Sequence, residues 1–142
     1  MHVDKRVIST HEAPQNDAPY SQGIVTDDLL FVSGQGPRDP ESMELVTESV
    51  AAQAERTLEN VAAIVADSSG TLDDVVKTTV YLSDMCDYDI LNEMYKTYFD
   101  EDPPARVCIE AGHLAQRYRR RDRSHRADRL AVSRRPRWRE SP

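Results

Sequence analysis

Apolar residues recur with strand or helix periodicity from Val3 to Leu114 and then stop, so the core of this 142-residue chain has to be built from its first 114 residues. Beyond that point, the sizeable apolar residues of the stretch 117–139 are Tyr118, Leu130, Val132 and Trp138, too few to predict a core strand. The charge reverses at the same place. Residues 1–114 hold 7 Lys+Arg and 22 Asp+Glu, whereas residues 115–142 hold 11 Arg, no Lys and 3 Asp+Glu. The net charge of −7 is therefore an average over two unlike parts. We expect one domain over 1–114 and an Arg-rich tail over 115–142, either disordered or derived from a shifted reading frame. The acidic body repels nucleic acid and keeps itself soluble by self-repulsion. Such acidity fits a salt-rich cytoplasm and an ordinary acidic protein equally well.

Within the body, Val3–Ser9, Tyr20–Val25 and Leu29–Ser33 read as extended segments, separated by a Pro-rich loop and by the turn Thr26-Asp27-Asp28. Val50, Ala54, Leu58, Val61, Ala62 and Val65 recur at three- and four-residue spacing, which predicts a helix over Ser49–Asp67 with Thr47 or Ser49 as its cap and Ser68-Ser69-Gly70 as its stop. Val75–Leu82 is rich in β-branched residues, and simple alternation puts Val76, Thr78, Val80 and Leu82 on one face. A second helix, Tyr88–Phe99, is expected to bury Leu91, Met94, Tyr95 and Tyr98. It ends before Pro103-Pro104, and Ala105–Ile109 is the next strand. The order predicts a two-layer α+β domain, with a mixed sheet carrying both helices on one face.

The longest apolar run is Val61–Ala66, too short to cross a bilayer, and Met1–Arg6 is not followed by a signal-peptide core, so a cytoplasmic location is expected. Cys86 and Cys108 form no C-x-x-C pair. His2, His11, His113 and His125 stand singly, and no metal is expected.

Arg106 is the first candidate for chemistry. It follows the rigid Pro103-Pro104 corner and opens a strand, where a guanidinium fork can be held in one direction to take a carboxylate. Taken alone, it is more readily an arginine in a surface ion pair with one of the 22 acids. Ser33-Gly34-Gln35-Gly36 can turn backbone amides toward a ligand but lacks the rest of a nucleotide-binding motif. Ser21 and Ser33 have no nucleophile elbow around them. Cys108 reads as a nucleophile beside Arg106 or as a small buried hydrophobe.

Together, Ala18-Pro19-Tyr20-Ser21-Gln22, Ser33-Gly34-Gln35, Gln53 with Leu58-Glu59-Asn60, Val75–Leu82, Asn92 with Tyr95 and Phe99, and Pro103-Pro104-Ala105-Arg106 resemble the RidA/YjgF family over about Ile8 to Leu114. The resemblance implies a chorismate-mutase-like fold and a homotrimer with clefts between subunits. It implies hydrolytic deamination of small 2-imino and 2-enamino acids to 2-oxo acids and ammonia, without metal or organic cofactor. By that resemblance Arg106 grips the substrate carboxylate, and Tyr20, Gly34, Asn92 and Cys108 line the cleft. A glutamate on the family's last strand positions the attacking water.

The chain departs from the family after Leu114, so the last strand is expected to be missing or replaced, and Glu110 lies too early in family register to substitute for the glutamate. A shift of one nucleotide at codon 115, with suitable synonymous codons, encodes Pro-Ser-Asp-Thr-Ala-Val-Glu-Ile-Glu-Ala-Ile-Ala, a strand of the family type. Two rival functions remain open: an RNA-binding basic arm over 115–142, which the acidic body disfavours, and a trimer that binds small acids without turning them over.

Overall fold

The computed structural model describes residues 3–112 and 129–134. Its strands are β1 (Arg6–Ile8), β2 (Gly23–Thr26), β3 (Leu29–Gln35), β4 (Val75–Leu82), β5 (Ala105–Glu110) and β6 (Arg129–Arg134), and its helices are α1 (Val50–Asp67) and α2 (Tyr88–Tyr98). The sheet order is β1-β2-β3-β6-β4-β5. β1, β2 and β3 form an antiparallel meander, β6 runs antiparallel to both of its neighbours, and β4 and β5 are parallel, joined by the α2 crossover. This is the two-layer α+β arrangement with a mixed sheet.

Helix α1 begins where Ser49, not Thr47, caps it: the Ser49 Oγ accepts the Ala52 amide at 3.0 Å. At its other end the Gly70 amide returns to the Val65 carbonyl at 3.1 Å, and Ser69 takes the left-handed conformation with φ 68°. The buried stripe of α1 includes Ala54, Leu58, Val61, Ile64 and Val65, packed with Leu30, Val32, Val80 and Leu82 from the sheet. Gly23 marks the closest approach of β2 to this layer. A Cβ there would stand 3.2 Å from Ile64 Cγ2 and Leu30 Cδ1. Helix α2 buries Leu91 and Tyr95, while Met94 and Tyr98 are only partly covered and Phe99 caps the helix rather than extending it. Side chains of the other sheet face, including Val7, Phe31, Val107 and Ile109, are exposed.

Two expectations are corrected. Val76 does not share a face with Thr78, Val80 and Leu82; it is 48% exposed, and Val75 is buried instead. The pairings Val75↔Arg134 and Lys77↔Ser133 span two steps on β4 but one on β6, so the strand bulges there and its alternation slips by one residue. The second correction concerns the tail, from which no core strand was predicted. β6 lies between β3 and β4 in the middle of the sheet, so the last strand is replaced, not missing. Without it, β3 and β4 would each leave a row of backbone donors and acceptors unpaired, and any six-residue extended segment can satisfy them through its main chain whatever its composition. Composition counts misjudge such a segment because ladder hydrogen bonds do not depend on side chains.

Candidate functional site

The β4–β5 register pairs Thr78 with Arg106 and Val80 with Cys108. Arg106 and Cys108 therefore share the sheet face that carries Thr78 and Val80, the face on which the helices pack. Above Arg106, Tyr88, Asn92 and Tyr95 stand at positions i, i+4 and i+7 of α2, one stripe of the helix. The guanidinium Nη2 donates to Asn92 Oδ1 at 2.7 Å and to the Tyr88 hydroxyl at 3.1 Å. Its central carbon lies 4.7 Å from the Tyr95 ring centre and 5.5 Å from that of Tyr88, within cation–π range of both.

Tyr95 is fixed in turn. Its hydroxyl shares a 2.8 Å hydrogen bond with Thr78 Oγ1, and its ring lies 4.6 Å, centre to centre, from Phe99. Burial raises the Tyr95 pKa above the ordinary 10.0, outweighing the opposing pull of the Thr78 hydrogen bond and the Arg106 charge. Among the described residues the one ion pair is Lys96–Glu93, so no described carboxylate neutralises Arg106. The reading of Arg106 as half of a surface ion pair fails for these residues. Both of these hydrogen bonds use Nη2, and Arg106 lines two surface depressions. The first, of about 510 Å³, includes Asn92, Glu93, Phe99 and Pro104 in its walls; the second, of about 740 Å³, includes Cys86, Tyr88 and Cys108.

Tyr20 and Gly34 lie elsewhere, in a small depression of about 70 Å³ that also includes Gln22, Gly36, Arg38 and Met43. Gly34 is on β3 and Arg106 on β5, three strand positions apart. At about 4.8 Å per strand this is roughly 14 Å, too far for one small acid to touch both. A single chain thus brings Arg106, Asn92 and Cys108 together and keeps Tyr20 and Gly34 apart from them.

The Tyr20 half is nonetheless tightly built. Gln22 is buried; its side chain accepts the Thr10 amide at 2.7 Å and donates to the carbonyls of Thr10, Ala13 and Pro14 at 3.0–3.2 Å. Ser33 Oγ donates to the Ser21 carbonyl at 2.6 Å, a structural use of the Ser33 hydroxyl. The β3–β6 register jumps from Val32↔Val132 to Gln35↔Leu130, so Ser33 and Gly34 sit at a bulge, a common device for re-aiming backbone at a site. Asn60, fully buried, donates to the carbonyls of Gly36 at 3.1 Å and Arg38 at 2.8 Å, and accepts from Arg56 Nε at 3.1 Å. It fixes the loop that follows the bulge.

Sequence reading did not single out Tyr88, nor Tyr95 as a support for Arg106. The signal was present as the Tyr88/Asn92/Tyr95 stripe, but core packing explains such a stripe equally well until the strand opposite it is known. Glu110 accepts the Met85 amide at 2.8 Å, which ties the turn before α2 to β5. Neither Cys86 nor Cys108 is in a disulfide. Among the described residues no three His, Cys, Asp or Glu side chains gather as a metal site, and no helix is long and apolar enough to cross a membrane. The proposed basic arm over 115–142 falls mostly outside the described residues.

The fold has known counterparts. The sequence family described as Endoribonuclease L-PSP matches residues 10–119, and the chain belongs to that family, also known as RidA/YjgF. A RutC family protein of Pyrococcus abyssi is 46% identical over 110 residues, which cover 78% of this chain and 87% of the relative. A human protein named 2-iminobutanoate/2-iminopropanoate deaminase is 41% identical over 110 residues, covering 78% of this chain and 80% of the relative. Among solved structures, RidA from an Antarctic Psychrobacter superposes with a TM-score of 0.83 at 33% identity, over 92% of this chain and 99% of that one. Escherichia coli TdcF with bound serine superposes with a TM-score of 0.82 at 30% identity, over 92% and 98%. The chorismate-mutase-like fold expected from the resemblance is the fold of this chain.

Proposed function

We propose that the chain hydrolyses small 2-imino and 2-enamino acids to 2-oxo acids and ammonia, with Arg106 as the carboxylate clamp, at a rate below that of its relatives. The observation that carries this reading is the state of Arg106. It is held by two tyrosine rings and an amide oxygen, and no described acid neutralises it. Such a cation is set to receive an anion from outside. A carboxylate on the end-on fork uses Nη1 and shares Nη2 with the longer, more exposed bond to Tyr88. Holding the carboxylate fixes the adjacent C=N carbon, so that an incoming water meets it in one orientation. A relative at 41% identity named for this activity, and a structural neighbour with a bound amino acid, support the substrate class.

The reduced rate follows from β6. Its six residues, Arg129 to Arg134, include no carboxylate, so this strand carries no general base to direct water. A homotrimer is part of the proposal. The separation of Tyr20 and Gly34 from Arg106, and the exposed apolar sheet face bearing Phe31, Val107 and Ile109, both fit a cleft completed by a second copy.

The test is ammonia release from 2-iminopropanoate generated in place by an amino-acid oxidase. Release above the uncatalysed rate that disappears in Arg106→Ala supports the reading. Binding of pyruvate without any ammonia release would instead identify a non-catalytic binder of small acids.

A further inference from the structure

Arg106 lies between two depressions, and its contacts distinguish them. On one side Asn92 Oδ1 takes Nη2 at 2.7 Å, and the walls include the carboxylates of Asp89 and Glu93, with Lys96 engaged by Glu93 at 2.9 Å. That side offers an incoming anion a filled donor and two like charges. On the other side the described walls include Met85, Cys86, Tyr88, Asp89, Arg106 and Cys108, with Asp89 the one carboxylate among the described residues. Tyr88 is 37% exposed there, and its hydroxyl oxygen accepts from Arg106 Nη2 at 3.1 Å. An oxygen that accepts from a cation still carries its own proton to give.

We infer that Tyr88 is a substrate-binding residue: its hydroxyl donates to the carboxylate held by Arg106 and seats the acid in the depression shared with Cys86 and Cys108, not on the Asn92 side. This rests on the proposed reading of Arg106 as a carboxylate clamp. The hydroxyl relays the guanidinium's polarity, so the bound carboxylate meets Nη1 and the Tyr88 hydroxyl directly and shares the Nη2 hydrogen that Tyr88 accepts. The reacting end of the acid then points toward Cys108, the thiol that the family resemblance already puts in the cleft.

Pyruvate is a stable 2-oxo acid with the same carboxylate, and its binding to the full chain is measured by calorimetry. Tyr88→Phe keeps the ring and removes one atom. We expect it to weaken pyruvate binding about tenfold, the loss of one hydrogen bond to a charged group, with an unchanged circular-dichroism spectrum. Saturating pyruvate should slow alkylation of Cys86 and Cys108 by iodoacetamide in the wild-type protein. If Tyr88→Phe binds pyruvate within twofold of wild type, or if alkylation proceeds unslowed while pyruvate is bound, the role assigned to Tyr88 is wrong and the Arg106 clamp stands. If the wild-type chain binds no pyruvate, the clamp itself fails and Tyr88 with it.

Discussion

The Tyr95 ring centre lies 4.7 Å from the Arg106 guanidinium carbon, while the Tyr95 hydroxyl is joined to Thr78 at 2.8 Å. Thr78 is the register partner of Arg106 on the neighbouring strand, so a side chain, its aromatic support and the anchor of that support form one closed unit. Tyr95→Phe leaves the support in place and orphans a buried hydroxyl. We expect a stability loss of about 1–2 kcal/mol by denaturant unfolding, with Arg106-dependent activity largely kept. Tyr95→Ala should cost about 3–5 kcal/mol and abolish activity as well, because the cavity also frees the guanidinium.

Arg106→Lys tests whether geometry or charge matters at the clamp. A lysine retains the cation but cannot reproduce the planar fork or stack between two rings. The expected outcome is a fall of about a hundredfold in kcat/KM for 2-iminopropanoate, close to that of Arg106→Ala. Near-normal activity in the lysine variant would mean that bidentate orientation is not used.

Asn60→Leu removes two hydrogen bonds to the carbonyls of Gly36 and Arg38, both in the loop beside Tyr20 and Gly34. The Gly36 carbonyl keeps the Arg38 amide at 2.8 Å but loses its buried side-chain donor, and a destabilisation of about 2–4 kcal/mol is expected. Faster amide hydrogen exchange should be concentrated in residues 34–38. A uniform rise across the chain would argue that Asn60 serves only global stability.

The Ser49 cap gives a local test of the helix reading. Ser49→Ala should lower stability by about 1 kcal/mol, and Ser49→Asp should preserve it, because a carboxylate also accepts the Ala52 amide. Thr47→Ala should have little effect on α1.

Two tyrosines should titrate late. Burial raises the pKa of Tyr95 above 10.0. For Tyr98, burial is again the main cause, joined by its hydrogen bond to Glu59 at 2.7 Å and by the Glu59 charge. A hydroxyl whose folded pKa is raised binds its proton more tightly folded than unfolded. The associated stability is therefore complete below pH 10 and is lost as pH rises through the folded values. In an absorbance titration of the native protein, Tyr95 and Tyr98 should contribute a late component that denaturant removes. Tyr98→Phe should shrink that late component.

The chain order of strands and helices was legible from the sequence because each element satisfies itself locally. The apolar stripe of Val50–Asp67, the β-branched run of Val75–Leu82 and the Pro103-Pro104 stop all act through neighbours a few residues away. Arg106 stood out for the same reason, since Pro103 and Pro104 constrain the backbone just before it. What could not be read was any property that depends on pairing. Val76 faces outward because β4 bulges against β6, and that bulge exists only in the pair. Likewise, Tyr88, Asn92 and Tyr95 become a support for Arg106 only once β5 lies beneath α2.

The tail shows the same division most sharply. Composition alone marks residues after Leu114 as poor core material, because hydrophobic burial is a property of side chains. Whether residues 129–134 become a strand depends on the vacant hydrogen-bonding edges of β3 and β4, which are main-chain groups brought face to face by the fold. Sequence therefore determined which segments of residues 1–114 are helix or strand and marked Arg106 as the candidate for holding an anion. Tertiary structure decided which strand fills the centre of the sheet and which residues surround that clamp, because backbone pairing and side-chain proximity are set between segments distant in the chain.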